Sequence, residues 1–239
     1  LNKTKKVLYL SGPTDSKEMK KIITEKCNWS NELKARNLSL NKPARQSSIY
    51  LVPVPGANQA QIRIGRYMIA SEVEGKHDQF NFLSGFLGGG FTSKLVQELR
   101  VKRGLTYSAG AYVSMQRDYG RAGVTTFSKT ETTAETISLI REIFSDISHA
   151  SRITPDEFKH QQGHQIGSYA FGFEETTAFL GQIMLYDHQG RDLKELADFP
   201  DKIKRMTSKE LAQADYEVFP WERMTIEVVG DKSLIKSLS

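Results

Sequence analysis

Residues 86–112 read FLGGGFTSKLVQELRVKRGLTYSAGAY and hold the most specific local pattern in the chain. The residues before it predict a helix over about 78–87, which ends at the glycine run 88–90. A second helix is predicted over about 92–102. It ends with basic side chains and then Gly104, a common arrangement at helix C-termini.

Elsewhere in the chain, apolar residues alternate with polar ones or form short runs between turn residues. Alternation with a period of two is typical of half-buried strands, and Ala60, Ile62 and Ile64 show it clearly. Capping patterns such as Ser128-x-x-Glu131 predict where helices begin. The predicted strands cover residues 7–10, 47–53, 60–69, 106–114, 119–127 and 224–228.

Strands and helices in this order predict one α+β domain over residues 1–239. We expect a two-layer sandwich in which helices cover one face of a mostly antiparallel sheet. Both terminal strands, over residues 7–10 and 224–228, are predicted to join that sheet.

Arg100 and Tyr107 are the candidate functional pair. On a helix, Arg100 would lie in the last turn and point away from the face that carries Leu95 and Leu99. Gly104 lets the chain reverse, which brings Tyr107 close to the end of that helix. A guanidinium and a phenol donate several hydrogen bonds but supply no base, which suits binding to a carbonyl or an oxyanion. The alternative is that Arg100 caps helix carbonyls and Tyr107 packs in the sheet.

The same stretch resembles the inverzincin-type metallopeptidases, which include mitochondrial processing peptidase, pitrilysin and insulin-degrading enzyme. The family pattern is a glycine-rich turn, Ser-Arg-Leu, a short helix and Arg-Gly-Leu-x-Tyr. Residues 88–90, 93–95 and 103–107 occupy those places, and looser likeness extends over nearly the whole chain. Lys94 stands where Arg is commoner, so the contacts of that arginine are not carried over.

The resemblance implies a processing-peptidase-like half-domain that closes with a second half around a peptide. In the family, one half binds zinc through His-x-x-Glu-His and a distal Glu. The other half carries an Arg and a Tyr seven residues apart, which match Arg100 and Tyr107. This chain would then be the non-catalytic, substrate-binding half of a zinc metallopeptidase, inactive alone and without a cofactor of its own.

Its expected partners are therefore a peptide substrate and a zinc-bearing half-domain, in the same polypeptide or in a separate chain. The sequence does not begin with Met, and we expect it to be the C-terminal or inactive-partner half of a larger peptidase. The alternative is a core-type structural subunit of a larger assembly with no proteolytic role.

The histidines do not predict a zinc site in this chain. A zinc peptidase needs about three protein ligands and a carboxylate base. His160 and His164 have the spacing of two ligands, but Gly163 stands where the base would be. We interpret them as part of a solvated helix face, and adventitious metal binding stays open.

Composition excludes several other classes. The 239 residues are 38% hydrophobic and 26% charged, which is typical of a globular protein. The net charge of +5 comes from 33 basic and 28 acidic residues spread along the chain, so nucleic-acid binding is not predicted. Neither a membrane span nor a signal peptide is apparent, and the compartment stays open between cytoplasm and periplasm. The single cysteine, Cys27, is predicted to be a packing residue.

Overall fold

A five-stranded sheet and nine α-helices make up the part of the chain that the computed structural model describes, residues 7–13, 15–27 and 47–238. The strands are β1 (Ser48–Pro53), β2 (Gln59–Ile69), β3 (Ala109–Met115), β4 (Tyr119–Lys129) and β5 (Thr225–Gly230). The α-helices are α1 (Ser16–Lys26), α2 (Ala70–Val73), α3 (His77–Gly88), α4 (Thr133–Ile147), α5 (Pro155–Phe171), α6 (Thr176–Gln189), α7 (Lys194–Arg205), α8 (Ser208–Val218) and α9 (Ile235–Leu238). A π-helix covers Val96–Lys102.

The sheet is mostly antiparallel, as predicted. Its strand order is β1-β5-β2-β4-β3. Only the β1–β5 pair is parallel, and the three other neighbouring pairs are antiparallel. The late strand β5 therefore lies inside the sheet, between β1 and β2, which confirms the prediction for residues 224–228.

The two faces of the sheet differ as the alternating sequence predicts. Side chains on one face belong to the hydrophobic core, and Ile62, Ile64 and Val228 are at most 1% exposed. Helices α3 and α4 contact strands of the sheet and bury their own apolar residues in that core. On the other face, Tyr67 is 60% exposed and Tyr112 is 41% exposed. The predicted α+β architecture with helices on one face is confirmed.

The predicted strand over residues 7–10 is wrong. These residues form no strand, and Val7, Leu8 and Leu10 are 45–54% exposed. The Tyr9 hydroxyl donates a hydrogen bond to Asp187 on α6 instead. A short apolar run becomes a strand only if a neighbouring strand pairs with its backbone. In the described sheet, β1 and not residues 7–10 is the parallel neighbour of β5.

One predicted helix start is also wrong. Ser128 does not begin a helix, because β4 continues to Lys129 and α4 begins only at Thr133. Ser128 is buried and its hydroxyl donates to the Thr133 hydroxyl at 3.2 Å, so it joins the strand end to the helix. The sequence pattern Thr-x-x-Glu does form a capping box at the starts of α5 and α8, through Thr154 with Glu157 and Thr207 with Glu210.

Candidate functional site

Arg100 lies on the π-helix, in its last turn. Leu95 and Leu99 are fully buried, whereas Arg100 is only partly buried and points out of the core. This orientation was predicted, but the helix type was not: the helix expected over 92–102 begins at residue 94 and continues as the π-helix Val96–Lys102. A π-helix is rare and is often found at functional sites.

A fixed turn connects Arg100 to Tyr107. Gly104 has a φ of +62°, which favours glycine, and the Leu105 amide donates to the Leu99 carbonyl at 2.8 Å. The Thr106 hydroxyl accepts a hydrogen bond from the Ser108 amide at 3.1 Å. Because β3 begins only at Ala109, Tyr107 lies in the turn before the strand, where it is 72% exposed.

Three side chains meet at this turn, and we call Phe91, Arg100 and Tyr107 the aromatic–arginine cluster. The guanidinium carbon of Arg100 lies 4.4 Å from the centroid of the Tyr107 ring and 5.3 Å from that of Phe91. Phe91 is 62% exposed. The structure thus brings the predicted pair together and adds a third member that the sequence interpretation missed.

The donors of the cluster are unpaired within the described part of the chain. The side chains of Arg100 and Tyr107 have no hydrogen bond or ion pair there. The alternative in which Arg100 caps helix carbonyls and Tyr107 packs in the sheet is therefore wrong. Contact with aromatic rings restrains a guanidinium by roughly 0.5–1 kcal/mol at exposed sites and leaves its N–H edge available for planar oxygen acceptors. The cluster can bind carbonyl or carboxylate oxygens, but it contains no base.

The glycine run that precedes Phe91 is shaped by packing. A Cβ atom on Gly88 would lie 1.9 Å from the Ala111 nitrogen, and one on Gly89 would lie 2.7 Å from the Gly85 Cα. Nothing lies within 4 Å of a Cβ on Gly90. Close backbone contacts therefore require glycine at positions 88 and 89. The contact of Gly88 with Ala111 places the end of α3 directly on β3.

The loop after the glycine run is also attached to helix α5. The Thr92 hydroxyl lies 3.1 Å from His160 Nε2, and Lys94 Nζ lies 2.8 Å from Glu157 Oε1. Burial alone would raise the pKa of Glu157, but hydrogen bonds from Lys94 and Thr154 outweigh it and lower that pKa. His160 and His164 are both exposed, so the predicted solvated helix face is confirmed, and the same face also attaches the loop through His160 and Glu157.

The described residues do not fit a zinc site. Within residues 7–13, 15–27 and 47–238, no group of three or more His, Cys, Asp or Glu side chains could hold a metal ion. His164 is exposed, and His160 faces Thr92. In the same part of the chain, no helix is both long and apolar enough to cross a membrane.

Comparison with known proteins gives the family. A family model described as the Peptidase M16 inactive domain matches residues 5–163. The chain is also 34% identical to an uncharacterized zinc protease of Streptomyces coelicolor over 148 residues. The aligned region covers 62% of this chain and 32% of that protein.

Solved structures share the fold. A peptidase M16 inactive domain from Pseudomonas fluorescens superposes with a TM-score of 0.75 at 19% identity, over 85% of this chain and 48% of that one. A chain of complex III2 from Candida albicans has a TM-score of 0.72 at 13% identity, over 95% and 54% of the two chains. The sequence thus spans about a third of its curated relative and about half of these structures. With a family model that matches most of its length and a fold shared with a solved member, the chain belongs to the Peptidase M16 inactive-domain family.

Proposed function

We propose that this domain is the substrate-binding, non-catalytic half of a zinc metallopeptidase that cleaves peptides. One observation carries the proposal: the Arg100 guanidinium contacts two exposed aromatic rings, with no acceptor for its N–H groups among the described residues. Such an arrangement is suited to a planar oxygen acceptor that arrives with a ligand. Peptide carbonyls are acceptors of that kind.

In this proposal, Arg100 and Tyr107 donate hydrogen bonds to a carbonyl oxygen of the bound peptide and to the negative charge that develops on it. A half-domain with His-x-x-Glu-His, in the same polypeptide or in another chain, would hold the zinc and supply the chemistry of peptide hydrolysis. The residues of this chain orient the peptide and stabilise charge. They do not carry out proton transfer, since the cluster has no base.

A reconstituted pair of half-domains tests the proposal. This chain is combined with a zinc-bearing half, binding of the two is confirmed, and peptide cleavage is measured for wild type, Arg100→Ala and Tyr107→Phe. We expect each variant to lower kcat/KM by roughly 100-fold, which is typical for the loss of one oxyanion donor. Arg103→Ala is the matched control, because Arg103 is an exposed arginine on the same turn and contacts no aromatic ring in the described part of the chain. Normal cleavage by both site variants would refute the clamping role.

A structural role is the second candidate, and similarity to a chain of complex III2 favours it. A scaffold domain requires the sheet and the core but not an unpaired arginine. If no zinc-bearing half that binds this chain yields a cleaving pair, the structural role is supported. Cleavage that depends on Arg100 argues against it.

A further inference from the structure

We infer that Phe91 determines substrate specificity, by packing against a large apolar side chain next to the peptide carbonyl that Arg100 holds. This inference rests on the proposed function and adds the class of peptide that the site prefers. Its basis is the position of Phe91 in the aromatic–arginine cluster, where the ring is 62% exposed although it contacts the guanidinium.

A single exposed phenylalanine is ordinary on a protein surface and means little by itself. Phe91 differs because its backbone is fixed. Its carbonyl accepts a hydrogen bond from Gln97 Nε2 at 2.8 Å, and the Ser93 amide donates to the Gly90 carbonyl at 3.1 Å. The loop that carries the Phe91 ring beside Arg100 therefore has several attachments.

Both ends of this loop are attached to other elements. On the N-terminal side, the backbone of Gly88 packs against Ala111 on β3. On the C-terminal side, Lys94 forms its ion pair with Glu157 on α5. A ring on such a loop loses little conformational entropy when a ligand packs against it, which is a general source of affinity and selectivity.

The Tyr107 and Phe91 rings differ in the contacts that they can make with a bound peptide. The Tyr107 ring carries a hydroxyl that can hydrogen-bond to a peptide, whereas the Phe91 ring can only pack. Its contribution must therefore come from apolar contact with the ligand and from restraining Arg100. Apolar contact favours some peptide side chains over others, whereas restraint of Arg100 affects all peptides equally. A preference among peptides therefore distinguishes the first contribution from the second.

The peptide class follows from this chemistry. An aromatic ring adds dispersion and removes apolar surface from water when it meets another large apolar group. A peptide with Phe or Leu beside the bound carbonyl would gain this contact, and one with Ala would gain little. A peptide with Asp would lose the hydration of its carboxylate against the ring.

The test uses the reconstituted pair and four peptides that differ at one residue: Phe, Leu, Ala or Asp. We expect wild type to prefer the Phe peptide over the Ala peptide by roughly 10-fold or more in kcat/KM, mainly through KM. Phe91→Ala should bring this ratio close to one, and Phe91→Leu should keep part of it. Phe171→Ala is the matched control, because Phe171 is also exposed, at 66%, but has no contact with Arg100.

Three results overturn the inference. Wild type without a preference among the peptides, an unchanged ratio in Phe91→Ala, or an equal loss for all four peptides would each show that Phe91 does not select the side chain. Arg100→Ala, measured in the same series, separates the two proposals. If Arg100→Ala and Tyr107→Phe both cleave normally, the proposed function fails; if Arg100→Ala loses cleavage while the Phe91→Ala ratio is unchanged, only the specificity inference fails.

Discussion

The backbones of Gly88 and Ala111 are in direct contact. They are so close that a Cβ atom added to Gly88 would lie 1.9 Å from the Ala111 nitrogen. This contact fixes the end of α3 on β3 and sets the position of the loop that carries Phe91.

Gly88→Ala should therefore destabilise the domain. An added methyl group must push α3 away from β3, and overpacking of this kind typically costs about 1–3 kcal/mol. Gly90→Ala is the control, since nothing lies within 4 Å of its Cβ and its φ is not positive. Urea unfolding of the two variants measures the difference, and equal midpoints would contradict the close contact.

Arg100→Lys should lower cleavage by the reconstituted pair to a level between wild type and Arg100→Ala. Lysine keeps the positive charge, but it lacks the planar guanidinium that contacts Phe91 and Tyr107 and can bind an oxygen through two N–H groups. Steady-state kinetics provides the measurement. Full activity in Arg100→Lys would mean that the site requires only a charge.

The buried ion pair between Arg191 and Asp78 should matter far more than surface pairs. Arg191 Nη2 lies 2.8 Å from Asp78 Oδ1, and the two side chains are 6% and 10% exposed. Arg191→Met leaves a buried carboxylate without its main partner, and we expect a loss of roughly 3–5 kcal/mol in the free energy of unfolding.

The matched control for that pair is Lys204→Met. Lys204 Nζ lies 3.6 Å from Asp201 Oδ1 on the surface, where the side chains are 64% and 70% exposed. We expect this variant to change stability by less than about 1 kcal/mol. If both variants lost a similar free energy of unfolding, burial would not determine how much an ion pair contributes to stability.

Glu195 should make the domain sensitive to acid. Burial alone would raise its pKa, but hydrogen bonds from Arg191 and Lys202 outweigh burial and lower the pKa to about 2. A carboxyl group with a depressed pKa stabilises the fold above its unfolded pKa, near 4.3, and loses that contribution as the pH falls towards 2. Glu195→Gln should therefore show a weaker loss of stability between about pH 5 and pH 2 in urea titrations.

Asp215 should have the opposite effect. It is 1% exposed, its Oδ1 has no hydrogen-bond partner among the described residues, and burial raises its pKa well above the ordinary value. Stability linked to a raised pKa is fully present below the unfolded pKa, near 3.9, and decreases as the pH rises towards the folded pKa. Asp215→Asn should be more stable than wild type at pH 7, by about 1 kcal/mol or more, and similar to it near pH 3. A smaller stability at pH 7 would contradict this sign.

Local patterns predicted much of the fold. The alternation of Ala60, Ile62 and Ile64 identified β2 and its buried face, and all three residues are at most 1% exposed. The glycine-rich stretch with Arg-Gly-Leu-x-Tyr placed Arg100 beside Tyr107, which the structure confirms. The alternation in β2 and the turn between Arg100 and Tyr107 are each determined by residues close together in the sequence, so a local pattern is enough to predict them.

The remaining features depend on contacts between distant segments. Phe91 was not predicted to join the site, because its position follows from the packing of Gly88 on β3. The π-helix was expected to be an ordinary helix, since a segment as short as Val96–Lys102 is too short for its apolar pattern to distinguish the two helix types. The failed strand over residues 7–10 has suitable side chains, but no described strand pairs with it, and pairing cannot be read from four residues.

The place of β5 inside the sheet has a consequence for biosynthesis. The only described strand that pairs with β1 is β5, which is the last strand of the sheet to be made. At typical translation speeds, β1 waits on the order of ten seconds or more for its neighbour to leave the ribosome. During that time its backbone groups lack their final partner and can pair with other extended chains. A nascent chain halted before Thr225 would thus present this unpaired strand to chaperones and proteases.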